Sequence, residues 1–315
     1  MSTMFTRLAL AASLALAITG CNKDDATTAA VAPAAVKAPA SPEGSVTTAV
    51  QNLKAGNIDA LIQGVLPAGE YTKLKTEWAT DVNKEPVTEE DRAKFVENMT
   101  KLTAPDAEAK LWTELEPQLK QMDAQMAQQM PMMVAMGKGF VQSAIQQNQE
   151  LNDAQKTQAT QAVDAFGNWV TTAKFTDPAL AQKAIKTVCD TARKINLKTI
   201  DEARALNYEQ AMQKAGLVFL GLKDVLNIYG FSIDQTLDSV KATSVSNDGT
   251  NAKVKIEYTL FNTPLSAESE LVKVDDRWYG KQTLEALKKK NAADAAAPAT
   301  PAPAAADPQA PATKG

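Results

Sequence analysis

The sequence predicts an α+β fold, a mainly helical domain followed by a C-terminal four-stranded antiparallel meander. Two observations carry this. From Ser45 to about Tyr229 the apolar residues recur at helical spacing, and from about Val240 the period shortens to two. A third observation bounds the folded part. Ala26 to Pro42 is rich in Ala, Thr, Pro and Val, and Asn291 to Gly315 is almost wholly Ala and Pro, compositions that bury no core. Between them lie roughly 250 residues, room for one large domain or two small ones.

Taken in order, Asn57 caps a short helix whose Ile58, Leu61, Ile62, Val65 and Leu66 share a face, and Pro67 breaks it. A second helix groups Tyr71, Leu74 and Trp78. Thr88-Glu89-Glu90-Asp91 reads as a capping box, with Phe95, Val96, Met99 and Leu102 behind it. Pro105 suits a first helical turn, and Leu111, Leu115 and Leu119 follow at helical spacing. Pro117 and Pro131 interrupt the stretch running to Glu150, so kinks or separate helices are expected there. Asn152 or Asp153 starts a helix carrying Val163, Phe166 and Val170. Asp177-Pro178 starts the next, and a last helix runs from near Tyr208 to Tyr229.

Val254, Ile256, Tyr258 and Leu260 then alternate with Lys253, Lys255, Glu257 and Thr259, as in a half-buried strand. Asn247-Asp248-Gly249 is a turn joining it to a preceding strand. Asn262-Thr263-Pro264 closes it, and Leu265 to Val274 reads as a third strand. Asp275-Asp276 turns into a fourth, from Arg277 to Lys281. The predicted organisation is residues 1–20 as a signal, 21–43 as a tether, 44–230 as helical, 231–290 as the sheet region packing on the helices, and 291–315 as a tail.

The front of the chain carries the most specific signal. Arg7 precedes a short apolar run, Leu8 to Ile18, which is too short to span a bilayer and reads as a secretory signal. Ile18-Thr19-Gly20-Cys21 resembles the bacterial lipobox. That resemblance implies cleavage between Gly20 and Cys21 and diacylglyceryl transfer to the Cys21 sulfur. Two or more acyl chains hold a protein firmly on a membrane. Asn22, where an Asp would favour inner-membrane retention in enterobacterial lipoproteins, favours the outer membrane.

The ending Leu271-Val272-Lys273-Val274-Asp275-Asp276-Arg277-Trp278-Tyr279 resembles the last hairpin of small envelope domains with a nuclear-transport-factor-like cone fold. The resemblance implies helices from residues 50 to 80 in the concavity of a sheet from 238 to 283, with 86 to about 206 as a helical insertion. A separate helical bundle followed by a meander accounts for the same pattern.

Composition narrows the chemistry. The chain has no histidine, which removes Ser-His-Asp and Cys-His catalysis and the usual zinc sites. No residue pattern implies a cofactor. Losing residues 1–20 removes Arg7 and no acid, taking the formal charge from −4 to −5, and this leaves no basic footprint for nucleic acid. With Cys21 assigned to lipid, Cys189 is left over. It falls on an apolar helical stripe with Ala181, Ala184, Ile185, Val188, Ala192 and Ile195, where a buried thiol behaves as a small hydrophobe.

Met122, Met126, Met130, Met132, Met133 and Met136 form the sharpest local cluster. Thioethers select Cu(I), so copper handling is one reading. A packing face continuing Leu111, Leu115 and Leu119 is the favoured one, and an adaptable partner groove is the third. Glu89/Glu90, Glu268/Glu270 and Asp275/Asp276 are the acid pairs an envelope hydrolase or lyase would draw on, though cap, surface and turn roles explain each. Trp112, Trp169 and Trp278 fit packing better than a ligand pocket. The functional expectation is a non-enzymatic, lipid-anchored envelope protein that binds a protein partner or ligand in the periplasm.

Overall fold

The computed structural model describes Pro39, residues 41–149 and residues 151–296. Gly20, Cys21 and the signal lie outside them, as do most of the tether and the tail beyond Ala296. The elements are α1 (Pro42–Ala55), α2 (Ile58–Val65), α3 (Ala68–Val82), α4 (Glu89–Thr103), α5 (Ala107–Gln147), α6 (Asp153–Thr172), α7 (Pro178–Ile195), α8 (Ile200–Arg204), α9 (Tyr208–Ile228) and α10 (Ile233–Asp238), then β1 (Lys241–Asn247), β2 (Asn251–Leu260), β3 (Thr263–Val274), β4 (Arg277–Gly280) and α11 (Lys281–Ala296). The α+β reading holds, with helices first and one sheet in the order β1-β2-β3-β4, every pair antiparallel.

Helix starts follow side-chain caps. Thr88 accepts from the Asp91 amide while Asp91 returns a bond to the Thr88 amide, the reciprocal box the sequence shows. Asn152 with Gln155 and Asn207 with Gln210 repeat the arrangement at α6 and α9. Asp177 caps α7 through the amides of Ala179 and Leu180, with Pro178 in its first turn.

α1 ties sheet to helices. Its Val46 packs with Val240, Val254, Ile256, Leu271 and Trp278 on the sheet. One turn on, Ala49, Val50 and Leu53 pack with Leu61 of α2 and Leu237 of α10, with Phe219 of α9 alongside. At Gly216 on α9 a Cβ would stand 2.3 Å from the carbonyl oxygen of Gly56, so only glycine lets α9 close on the α1–α2 joint. Gly56 itself ends α1 at φ 69°, in the left-handed region. A third cluster buries Cys189 with Ala107 and Ile185, flanked by Leu111, Trp112 and Leu115. The thiol is fully buried and burial raises its pKa, the environment of an inert packing cysteine.

Four sequence expectations change. Of the kinks or separate helices expected at its prolines, α5 excludes the second, being one helix through both. Pro117 and Pro131 are exposed, so the carbonyls four residues back can bond to water, and Leu, Gln, Met and Ala around them propagate helix well. The β2–β3 turn is Phe261-Asn262, both at positive φ, and Thr263-Pro264 lie inside β3. Pro264 is tolerated because β4 pairs only with Leu271 to Val274, leaving that end of β3 a single neighbour. α1 starts at Pro42, inside the expected tether, where Ser41 caps it. Finally, α11 carries helix from Lys281 into the expected tail.

Candidate docking face

α5 has 41 residues, about 60 Å at 1.5 Å per residue. Its first turns belong to the core around Cys189. There Glu108 makes a two-pronged pair with Arg193 of α7, at 2.5 and 2.9 Å, and Arg193 also donates to the Ala104 carbonyl. The guanidinium holds the Glu108 carboxyl down at about 2.

Further along, α5 forms an antiparallel hairpin with α6. Lys138 pairs with Asp164 at 2.6 Å, and Gln142 donates to the same carboxylate at 3.1 Å. Gly167 of α6 seats against Lys138 and Val134. Val134, Lys138, Gln142 and Ile145 are half-buried, the i, i+4 ridge turned toward α6.

The opposite ridge has no cover among the described residues. Met132 and Met133 are 62% exposed, Met136 69% and Phe140 79%, with Val141 beside them. A favoured packing role for the methionines is therefore overturned on this stretch. Leu111 and Leu115 reach the Cys189 core, but the helix leaves that core before Met132. Met122 is also exposed, Met130 is half-buried, and of the Met126 side chain nothing is described. Residues 124–149 contain one charged residue, Lys138. The sequence holds that signal, and the Met-centred reading passed over Phe140 and Val141.

An aromatic hub fixes the hairpin's base to the sheet. Trp169 of α6 stacks on Phe261 of the β2–β3 turn, centroids 5.3 Å apart, and donates to the Tyr229 carbonyl at 2.9 Å. Phe231 lies 4.3 Å from Phe261, and Phe175 meets Trp169 edge-on. Phe166, half exposed, extends the hub outward. Lower on α6, Gln158 donates to the Tyr258 hydroxyl of β2 at 2.8 Å.

The acid pairs are dispersed. Glu89 faces Arg92, Glu90 pairs with Lys94, Glu268 with Lys253, Glu270 with Lys281, and Asp276 with Lys273. None of these acids lines either of the two pockets beside α8. Two open pockets of about 500 and 550 Å³ flank α8, one holding Arg92, Arg204 and Asp201, the other Glu202 and Lys214. In the first, Arg92 pairs with Asp201, and Arg204 donates to Asn83 and the Glu85 carbonyl. Among the described residues no three Cys, Asp or Glu side chains come together as a metal would need. Trp278 is buried in the sheet core, and Trp112 packs beside Cys189. Comparison with protein-family models, curated proteins and solved structures finds no match to this chain.

Proposed function

We propose that this is a non-enzymatic lipoprotein, held through Cys21 on an envelope membrane, more readily the outer one, that binds a protein through the exposed face of α5. The observation that carries the binding half is the Met132–Phe140 ridge. Large apolar side chains left together in solvent mark an interaction surface. Methionine suits such a face because its unbranched, polarisable side chain repacks against varied partners. The anchoring half rests on the lipobox-like Ile18 to Cys21. The Ala-, Thr-, Pro- and Val-rich composition of residues 26–42 suits a spacer between that anchor and the domain.

Two measurements test the two halves. Cys21→Ser is expected to leave an unprocessed, unlipidated precursor, and normal lipid labelling of that variant would refute the anchor. Affinity isolation of the full lipidated protein from solubilised envelope is expected to retain a stoichiometric protein, lost in Met136→Glu/Phe140→Glu. Repeated absence of any such protein, or equal retention by the variant, would remove the binding reading.

Exposure of Met132, Met133 and Met136 also keeps the copper reading open, since three thioethers at i, i+1 and i+4 stay available to a soft ion. Titration of Cu(I) into the full chain separates it. Affinity no tighter than micromolar ends that reading. Phe140 and Val141 have no part in copper binding, which is why the docking reading comes first.

A further inference from the structure

We infer that Asp307-Pro308-Gln309-Ala310-Pro311 docks on the aromatic hub of its own chain, the prolines against the rings and Asp307 on Lys174. The inference stands apart from the α5 reading and uses a different surface.

The hub is an open surface. Trp169, Phe175, Tyr229, Phe231 and Phe261 are each half-buried and Phe166 is 51% exposed, whereas Trp278 and Tyr208 are closed over at 5% and 3%. Tyr229 joins the other rings through Phe175, centroids 5.3 Å apart. Among the described residues nothing bonds to the Tyr229 hydroxyl or pairs with the exposed ammonium of Lys174, the residue before Phe175. The surface thus offers ring faces, one hydroxyl donor and one positive charge.

That set suits a proline-rich segment. Such segments favour the polyproline II form, whose carbonyls have no internal partners and whose ordering cost is already low, and aromatic surfaces recognise it. With three residues per turn, prolines three apart fall on one edge. Three such pairs occur here, Pro39/Pro42, Pro298/Pro301 and Pro308/Pro311. Pro42 is committed to the first turn of α1.

Reach decides between the other two. Asn291 of α11 donates to Glu70 at 2.7 Å, and the neighbouring Tyr71 meets Tyr208, centroids 5.9 Å apart. Tyr208 opens α9 and Tyr229 follows its last residue, about 30 Å away at 1.5 Å per residue. Counting about 3.1 Å per residue from Ala296, Pro301 lies at most about 16 Å out, while Pro308 and Pro311 reach about 37 and 46 Å. Only the second pair spans the gap.

Charge gives the same answer. Asp307 is the one acidic residue in 297–315 and directly precedes Pro308, complementing the unpaired Lys174. Because the segment is part of the same chain, its effective concentration is of order millimolar, so a weak contact suffices.

The test uses the full chain in its own envelope. A photoreactive phenylalanine replaces Phe166, at the exposed rim of the hub. Irradiation is expected to attach it within one chain to residues 307–311, located by peptide mass mapping. Pro308→Ser/Pro311→Ser and Lys174→Glu are each expected to lower that yield at least fivefold. Adding Asp307→Lys to Lys174→Glu is expected to restore it. Attachment only to other stretches of the chain, to a second copy or to another protein overturns the inference, as does no attachment. A yield that ignores the proline substitutions, or a charge exchange that restores nothing, overturns it equally.

Discussion

Lys223 shows how a single side chain is held when buried. Its ammonium donates to the Lys54 carbonyl at 2.8 Å, pairs with Asp234 at 2.5 Å and lies 5.8 Å from the Phe219 ring. One cation thus ties α9 to the end of α1 and to α10. Lys223→Met keeps the stem but leaves the Lys54 carbonyl without this donor. A loss of about 1–3 kcal/mol in denaturant unfolding is expected. Gly216→Ala should behave similarly, because a Cβ 2.3 Å from a carbonyl forces α9 outward despite alanine's better helix propensity. Neither role is visible in sequence, where Lys223 and Gly216 are ordinary residues of a helical pattern. Cys189 differs, because its stripe of apolar neighbours announces burial.

The Glu108–Arg193 pair carries a pH dependence of definite sign. Its carboxyl titrates at about 2 when folded, below the ordinary 4.5. Such a group stabilises the fold fully above about pH 4.5 and loses that contribution as pH falls toward 2. Wild type should therefore exceed Glu108→Gln in thermal midpoint at pH 7, with the gap closing between those limits. A gap unchanged at pH 2 would show that the carboxylate charge is not its source.

At the scale of elements, α5 is where local sequence rules and structure part. Two internal prolines argue for breaks, yet one helix continues. Each proline still lacks an amide donor, so the stretch around Pro131 is held less well than its length suggests. Pro131→Ala should restore the bond to the carbonyl of residue 127 and slow amide exchange across residues 124–147 by tenfold or more. No change there would mean that the α6 contacts alone set the helix's stability. The strands were more legible. Alternation in β2 put Val254, Ile256, Tyr258 and Leu260 on one face, the first two buried and the last two half-buried, and Asp275-Asp276 made the tight turn, both at positive φ. The β2–β3 turn slipped because Pro264 reads as a terminator, and only the shortness of β4 shows why it is not. α10 is six residues long and α8 five, too short for periodicity to reveal.

For the whole molecule, the aromatic hub joins hairpin to sheet. Trp169 contacts Phe166 and Phe175 on its own stretch of chain, Phe231 after α9 and Phe261 in the β2–β3 turn. Trp169→Ala is expected to cost about 3–5 kcal/mol and to raise exchange in both α6 and the β2–β3 turn. Exchange rising in α6 alone would mean that the sheet does not depend on the hub.

By itself the sequence determined the α+β class, the alternating faces of β2 and the helix caps at Asn57, Thr88, Asn152 and Asp177. Each depends on neighbours within a few residues, where spacing and side-chain type decide the outcome. Tertiary structure alone decided that α1 serves both sheet and helices, that the acid pairs stay dispersed, and that the methionines of α5 face outward. Those are matters of what lies across from a residue. A methionine stripe reads the same whether a helix covers it or water does, and here α6 covers the other ridge.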